Sequence, residues 1–190
     1  MISELRTVLN QEDLNDDHEA AVPKGVQHVI QTFLETHLAA GRSSRRKAHG
    51  RDLIEVFSPP RLTAEAQRRG LNTSEEWAYD LTCGWDCHKS KDRKRLWRDL
   101  DRQPARHVVL TPECRMFSVM QNLSKNKRDP DRWKAQMEKA IFQISFCMRL
   151  AKHQHKSGGK FIFEQPLSAT AWSLKEVRDS ASLAGSTWWT

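Results

Sequence analysis

Residues 107–118 read His-Val-Val-Leu-Thr-Pro-Glu-Cys-Arg-Met-Phe-Ser, and this stretch decides the fold of the chain. Its apolar half, 107–111, predicts a short buried strand that ends before Pro112. Cys114 therefore falls at the carboxyl end of a strand, where open α/β sheets bind ligands. Another apolar run, 160–163, leads into Glu164 fifty residues later. A thiol and a carboxylate at two strand ends can face each other across one cleft.

Strand and helix patterns alternate on both sides of this stretch. The predicted strands are 53–57, 76–81, 107–111 and 160–164, and the predicted helices are 59–70, 90–102 and 129–155. Such alternation favours a parallel sheet with right-handed crossovers. We therefore predict the α/β class, with a Rossmann-like, mostly parallel sheet and flanking helices.

Charge divides the chain into three parts. Residues 1–22 hold six acids and one Arg, which predicts a disordered acidic arm, whereas 23–51 combine a helical pattern with a basic linker. Residues 52–190 form the predicted Rossmann-like domain. The net charge of +7 is compatible with binding to nucleic-acid phosphates. The linker residues Arg45, Arg46 and Lys47 are candidate contacts, and a solvated linker is the alternative.

Hydropathy and cysteine content indicate the cellular environment of the chain. No apolar run approaches the roughly 18 residues that a membrane-spanning helix needs. The N-terminus has no signal-peptide pattern, so its four cysteines are expected to be reduced. We therefore expect an intracellular, reducing location, in the nucleus or cytoplasm. Cys83-x3-Cys87-His88 has no fourth ligand at metal-like spacing, so no metal site is predicted.

Three segments carry a family resemblance. Pro112-Glu113-Cys114-Arg115-Met116-Phe117-Ser118 resembles the Pro-Pro-Cys-Gln-x-Phe-Ser nucleophile motif of cytosine-C5 DNA methyltransferases. Glu164-Gln165-Pro166 is similar to the Glu-Asn-Val signature of that family, and residues 52–58 are similar to its Asp-Leu-Phe-x-Gly opening. Residues 52 to about 172 thus resemble the catalytic half of such an enzyme, whose target-recognition half has no counterpart in this chain.

The resemblance implies a reaction and a set of residues. Cys114 would add to C6 of cytosine, because a thiolate is a strong nucleophile, and Glu164 would stabilise the charged ring. The methyl donor would be S-adenosylmethionine, and the target base would be flipped out of DNA, with RNA as the alternative substrate. The implied cofactor residues are Phe57, Ser58, Asp80, Asp86 and Pro112, and the implied nucleic-acid contacts include Arg115 and Ser118.

Departures from the family pattern keep a second interpretation open. Pro59 and Pro60 replace glycines at the first turn, and Glu113 replaces a proline beside the thiol. The alternative is a non-catalytic nucleic-acid-binding or interaction domain of a larger, mobile-element-type polyprotein, in which segments 42–51 and 89–102 bind. Prolines that fill the cofactor cleft would favour this alternative. A third interpretation is another small ligand in the same cleft. Cys114 could equally be a buried thiol, and Asp80 and Asp86 could stabilise turns.

Overall fold

A parallel sheet of four strands organises residues 50–121 and 128–183, which the computed structural model describes. The strands are β1 (Arg51–Val56), β2 (Ala78–Tyr79), β3 (Ala105–Leu110) and β4 (Lys160–Phe163). Their order is β2-β1-β3-β4, and every neighbouring pair is parallel. The predicted α/β class with a Rossmann-like parallel sheet is therefore confirmed. The predicted arm, helix and basic linker within residues 1–49, with Arg45, Arg46 and Lys47, lie outside the described residues.

Helices connect and flank the strands. They are α1 (Leu62–Arg68), α2 (Ser90–Arg102), α3 (Pro130–Lys156) and α4 (Lys175–Ala181). The predicted bounds of α2 are confirmed. Helix α3 begins as predicted, because Asp129 accepts hydrogen bonds from the Asp131 and Arg132 N–H groups at 2.9 and 3.2 Å. None of the helices within 50–121 and 128–183 is long and apolar enough to cross a membrane.

The strand order creates a switch point between β1 and β3. From β1 the chain moves outward to β2, and it then returns to the other side of β1 to form β3. Val56 pairs with Leu110, and Leu110 pairs with Phe163, so three strands end at the same level. Open α/β sheets bind ligands in the crevice at such a point. The loops after β1, β3 and β4 therefore meet where a ligand is expected.

A buried arginine makes β1 start earlier than its apolar pattern predicts. Arg51 is 1% exposed, and its guanidinium donates to the Gln103 carbonyl and, at 2.8 Å, to the Tyr79 hydroxyl. The Tyr79 hydroxyl in turn donates to Asp99 at 2.7 Å. These bonds satisfy a charge that would otherwise be costly to bury, and they tie β1 and β2 to α2.

The second predicted strand, 76–81, is shortened to the two residues of β2. Ser74 caps a 3-10 turn at Glu75–Trp77, and Asp80 caps another at Leu81–Cys83. A side-chain oxygen that accepts a backbone N–H stabilises a turn where a ladder bond would otherwise form. Polar caps on both sides therefore limit the strand.

Candidate functional site

The turn after β1 holds a non-glycine residue in a conformation that usually requires glycine. Phe57 has φ of +63°, and its N–H donates to the Tyr79 carbonyl at 3.1 Å. Its ring packs edge-on against Phe146 of α3, with centroids 6.2 Å apart. Such a backbone costs of order 1 kcal/mol and persists only where surrounding contacts enforce it. Packing against α3 thus fixes the Phe57 backbone at the switch point.

The first turn of α1 is capped by a buried carboxylate that the sequence did not reveal. Glu55 is fully buried in β1, and its Oε2 accepts the Thr63 N–H at 2.6 Å and the Thr63 hydroxyl at 2.8 Å. The Ser58 hydroxyl donates to Oε1 at 3.0 Å. Burial raises the pKa of Glu55, although these hydrogen bonds oppose part of the rise. Ser58, an implied cofactor residue, thus bonds to the cap of α1.

A pocket of about 230 Å³ lies beyond the carboxyl ends of β1, β2 and β3. Three implied cofactor residues, Phe57, Asp80 and Asp86, line it together. The full lining is Phe57, Asp80, Leu81, Trp85, Asp86, Cys87, His88, Thr111, Glu113 and Gln143. This lining holds three carboxylates and neither Lys nor Arg, in a chain of net charge +7. Pro59 and Pro60 do not belong to it, so the prolines leave this pocket open.

Both aspartates of the pocket also stabilise turns. The Oδ1 atom of Asp80 accepts the Thr82 N–H and hydroxyl at 2.9 and 2.8 Å. Asp86 accepts the His88 N–H at 3.0 Å and lies 3.4 Å from the Lys89 ammonium. Although burial opposes ionisation, this N–H and this ammonium lower the pKa of Asp86. Each aspartate thus lines the pocket while it shapes the loop after β2.

The loop that carries Cys114 is held by side chains from three directions. The Gln165 amide, which follows β4, donates to the Pro112 carbonyl at 2.8 Å. The Gln143 Oε1 atom of α3 accepts the Glu113 N–H at 3.1 Å, and the Gln143 amide nitrogen lies 3.1 Å from His88 Nε2. Further along, the Thr170 hydroxyl donates to the Phe117 carbonyl at 3.1 Å. Pro112, an implied cofactor residue, therefore acts here through its carbonyl as an anchor of the loop.

Cys114 and Glu164 come close enough to influence each other. Burial raises the pKa of the half-buried Cys114 thiol, and the charges of Glu164 and Glu113 raise it further. Burial also raises the pKa of Glu164. The Glu164 side chain is nevertheless exposed, so contact with water limits the rise of its pKa. The free protein therefore holds Cys114 as a thiol beside a carboxyl group.

The remaining implied nucleic-acid contacts have local partners. Arg115 is 68% exposed, and its Nε lies 2.9 Å from Glu113 Oε1. The Ser118 hydroxyl accepts the Met120 N–H at 3.2 Å. These contacts leave the side chains of Arg115 and Ser118 on the loop that carries Cys114. Sequence reasoning missed His88 and Gln143, which are 55 residues apart, because no spacing rule connects them.

Helix α2 displays a stripe of exposed cations, formed by Lys91, Lys94, Arg95, Arg98 and Arg102. At 3.6 residues per turn they share about 100° of the helix surface and span about 17 Å. Two acids of this helix face away from the stripe, since Asp92 accepts the Asp86 N–H and Asp99 accepts the Tyr79 hydroxyl. The exposed Asp101 lies at the edge of the stripe, 3.4 Å from His153. Within the described part of the chain, no ion pair neutralises a member of the α2 stripe.

Comparison of this chain with protein-family models, curated proteins and solved structures gives no match. The four cysteines are free thiols. Among residues 50–121 and 128–183, no group of three or more His, Cys, Asp or Glu side chains is placed to hold a metal ion. The resemblance to cytosine-C5 methyltransferases thus stays a hypothesis that rests on motifs and on the geometry of this site.

Proposed function

We propose that this domain is of the cytosine-C5 DNA methyltransferase type, with Cys114 as nucleophile and Glu164 as the ring-stabilising acid. The observation that carries the proposal is that Cys114 follows β3 and Glu164 follows its neighbour β4, near enough for the Glu164 charge to raise the pKa of the thiol. Glu113, next to Cys114, lines the pocket together with Phe57, Asp80 and Asp86. The parallel sheet with order β2-β1-β3-β4 supports it, because the loops after β3 and β4 are then neighbours.

The pocket residues suit a cationic cofactor. S-adenosylmethionine would supply the methyl group from a positively charged sulfonium. Asp80 favours a cation at the pocket, whereas Asp86 and Glu113 already lie 3.4 and 2.9 Å from the cations of Lys89 and Arg115. Phe57 provides an aromatic wall, and the Trp85 ring already carries the Arg95 guanidinium 4.4 Å from its centroid. The volume of about 230 Å³ lies below the roughly 300–1,000 Å³ of most ligand pockets. The rim therefore has to open for a ligand of this size to enter.

The thiol must lose its proton before it can attack C6 of a flipped cytosine. Proton transfer from Cys114 to a base would generate the thiolate, and a protonated Glu164 would donate a hydrogen bond to ring N3. Burial raises the pKa of Glu164, which is the direction that this role needs. The charge of Glu113 beside the thiol opposes activation, and Arg115 offsets it at 2.9 Å.

Calorimetric titration with S-adenosylmethionine tests the cofactor assignment. Ligand at about 100 times its Kd should raise the free energy of unfolding by roughly 2.7 kcal/mol. Covalent capture on DNA that contains 5-fluorocytosine tests the nucleophile. Cys114→Ser should abolish the captured complex, and Cys83→Ser should leave it intact. Capture that survives Cys114→Ser would refute the role of Cys114, and a folded sample that ignores millimolar cofactor would remove methyl transfer from the proposal.

A second candidate is a nucleic-acid-binding domain without catalysis, favoured by the α2 stripe and by the protonated state of Cys114. Five cations over about 17 Å match the repeated charges of a phosphate backbone. The amino end of α2 lies next to the pocket residue His88 along the chain, so a strand that follows the stripe would reach the pocket rim. Binding that is steeply salt-dependent, without cofactor binding or covalent capture, would favour this candidate.

A further inference from the structure

The Gln165 side chain links the two halves of the candidate site. It is 1% exposed, it directly follows Glu164, and its Nε2 donates to the Pro112 carbonyl at 2.8 Å. Pro112 lies two residues before Cys114. The hydrogen bond therefore joins the end of β4, which carries the carboxylate, to the loop that carries the thiol.

The energetics of this amide favour a geometric role over a stabilising one. The Oε1 atom of Gln165 is buried and has no hydrogen-bond partner among the described residues. An unsatisfied buried acceptor costs at least as much free energy as one buried hydrogen bond contributes. The two contributions largely cancel, so the side chain adds little net stability while it fixes one distance.

We propose that Gln165 is a positioning residue that holds the Cys114 loop against Glu164. The proposal rests on the proposed function, since the pair it positions is the nucleophile and acid assigned above. Loss of the Gln165 hydrogen bond should let the Pro112 end of the loop move toward water and away from the carboxylate, while Gln143 and Thr170 still hold Glu113 and Phe117. The neighbouring charges are Glu164 from β4, and Glu113 with its partner Arg115 from the loop itself.

The chain supplies a matched control at the other end of the same strand. Gln154 is 3% exposed, and its Nε2 donates to the Ala105 carbonyl at 2.6 Å, where β3 begins. Gln154→Met and Gln165→Met thus each remove a buried amide that bonds to a backbone carbonyl beside β3. Only Gln165→Met removes the hydrogen bond between the residue after Glu164 and the loop that carries Cys114.

The experiment measures the rate of Cys114 alkylation by iodoacetamide against pH, with each cysteine quantified separately by mass spectrometry. Because the thiolate is the reactive form, release of the loop should accelerate Cys114 alkylation near pH 8 at least about threefold in Gln165→Met. Gln154→Met should leave this rate unchanged. Equal rates in Gln165→Met and wild type, with both folded, would overturn the proposal.

A double-mutant cycle with Glu164→Gln makes the test specific. In the wild type, Glu164→Gln removes a charge and should accelerate Cys114 alkylation, whereas in the Gln165→Met background it should add little. If Glu164→Gln accelerates Cys114 alkylation equally in the wild type and in Gln165→Met, then Gln165 does not hold the Cys114 loop near Glu164. If Gln165→Met does not fold, the shorter amide of Gln165→Asn carries the same comparison. Alkylation needs neither cofactor nor DNA. The alkylation rates therefore test the role of Gln165 even if the methyltransferase assignment fails.

Discussion

Removal of two charges from the α2 stripe should change the salt dependence of DNA binding by a calculable amount. Lys94→Gln with Arg98→Gln leaves three of its five exposed cations. Each phosphate neutralised on duplex DNA contributes about −0.9 to the slope of log K against log salt. The wild-type slope should therefore be about −4.5, and the variant slope about −2.7.

These slopes predict a measurable difference. Between about 50 and 200 mM KCl, the wild type should lose about 500-fold in affinity and the variant only about 40-fold. Fluorescence anisotropy with a labelled duplex of about 20 base pairs, titrated at four salt concentrations, gives both slopes. Single-stranded DNA should give a shallower wild-type slope of about −3.5, which separates the two forms of nucleic acid.

A charge-matched control separates the stripe from overall charge. Arg68→Gln with Arg69→Gln removes two exposed cations at the carboxyl end of α1, where both pair with Glu65. Right-handed crossovers place α1 and α2 on opposite faces of the sheet. Both double variants lower the net charge from +7 to +5. A wild-type slope shallower than about −1, or equal slopes for the α2 variant and the wild type, would refute the role of the stripe.

Four further outcomes test the packing around the site. Glu55→Ala should lower the free energy of unfolding by about 2–5 kcal/mol in urea titration, because the Thr63 N–H loses its cap, whereas Glu55→Gln should cost less than about 1 kcal/mol. Burial raises the pKa of Glu55 in the folded protein, so protonation of Glu55 stabilises the fold at acidic pH. This stabilisation is lost as the pH rises through the folded pKa of Glu55. Glu55→Gln should therefore flatten that part of the curve of unfolding free energy against pH. Gly159→Ala should lower the Tm, since its Cβ would overlap the buried Gln154 amide. Burial and nearby acids raise the pKa of Cys87 to about 12, so this thiol should resist alkylation at pH 8 until the protein unfolds.

Apolar runs and cap signals predicted most of the fold. The run 107–111 marked the central strand, and Asp129-Pro130 marked the start of α3, because burial and capping act on neighbouring residues. The start of β1 could not be predicted in this way. Arg51 looks like part of a basic linker, and only its partners Gln103 and Tyr79, far along the chain, make it a strand residue.

Site residues that directly follow a strand could be predicted from the sequence. Contacts between side chains that are distant along the chain could not. Phe57, Asp80 and Asp86 follow strands, so their common pocket could be expected from topology. Glu55 interrupts an apolar run and has the pattern of a surface position; its burial depends on Thr63 at the start of the following helix. Likewise, the link from Gln165 to Pro112 depends on strand register, which composition does not encode.

The short outer strands bear on how the protein behaves at high concentration. Within the described residues the sheet ends at β2, with two residues, and at β4, with four residues that include the exposed Lys160. Long, flat and apolar edges are the templates on which other chains add strands and aggregate. These edges offer few consecutive backbone groups to a neighbouring molecule. Substitutions that lengthen β2 by removing the cap at Ser74, which does not line the pocket, should therefore increase aggregation.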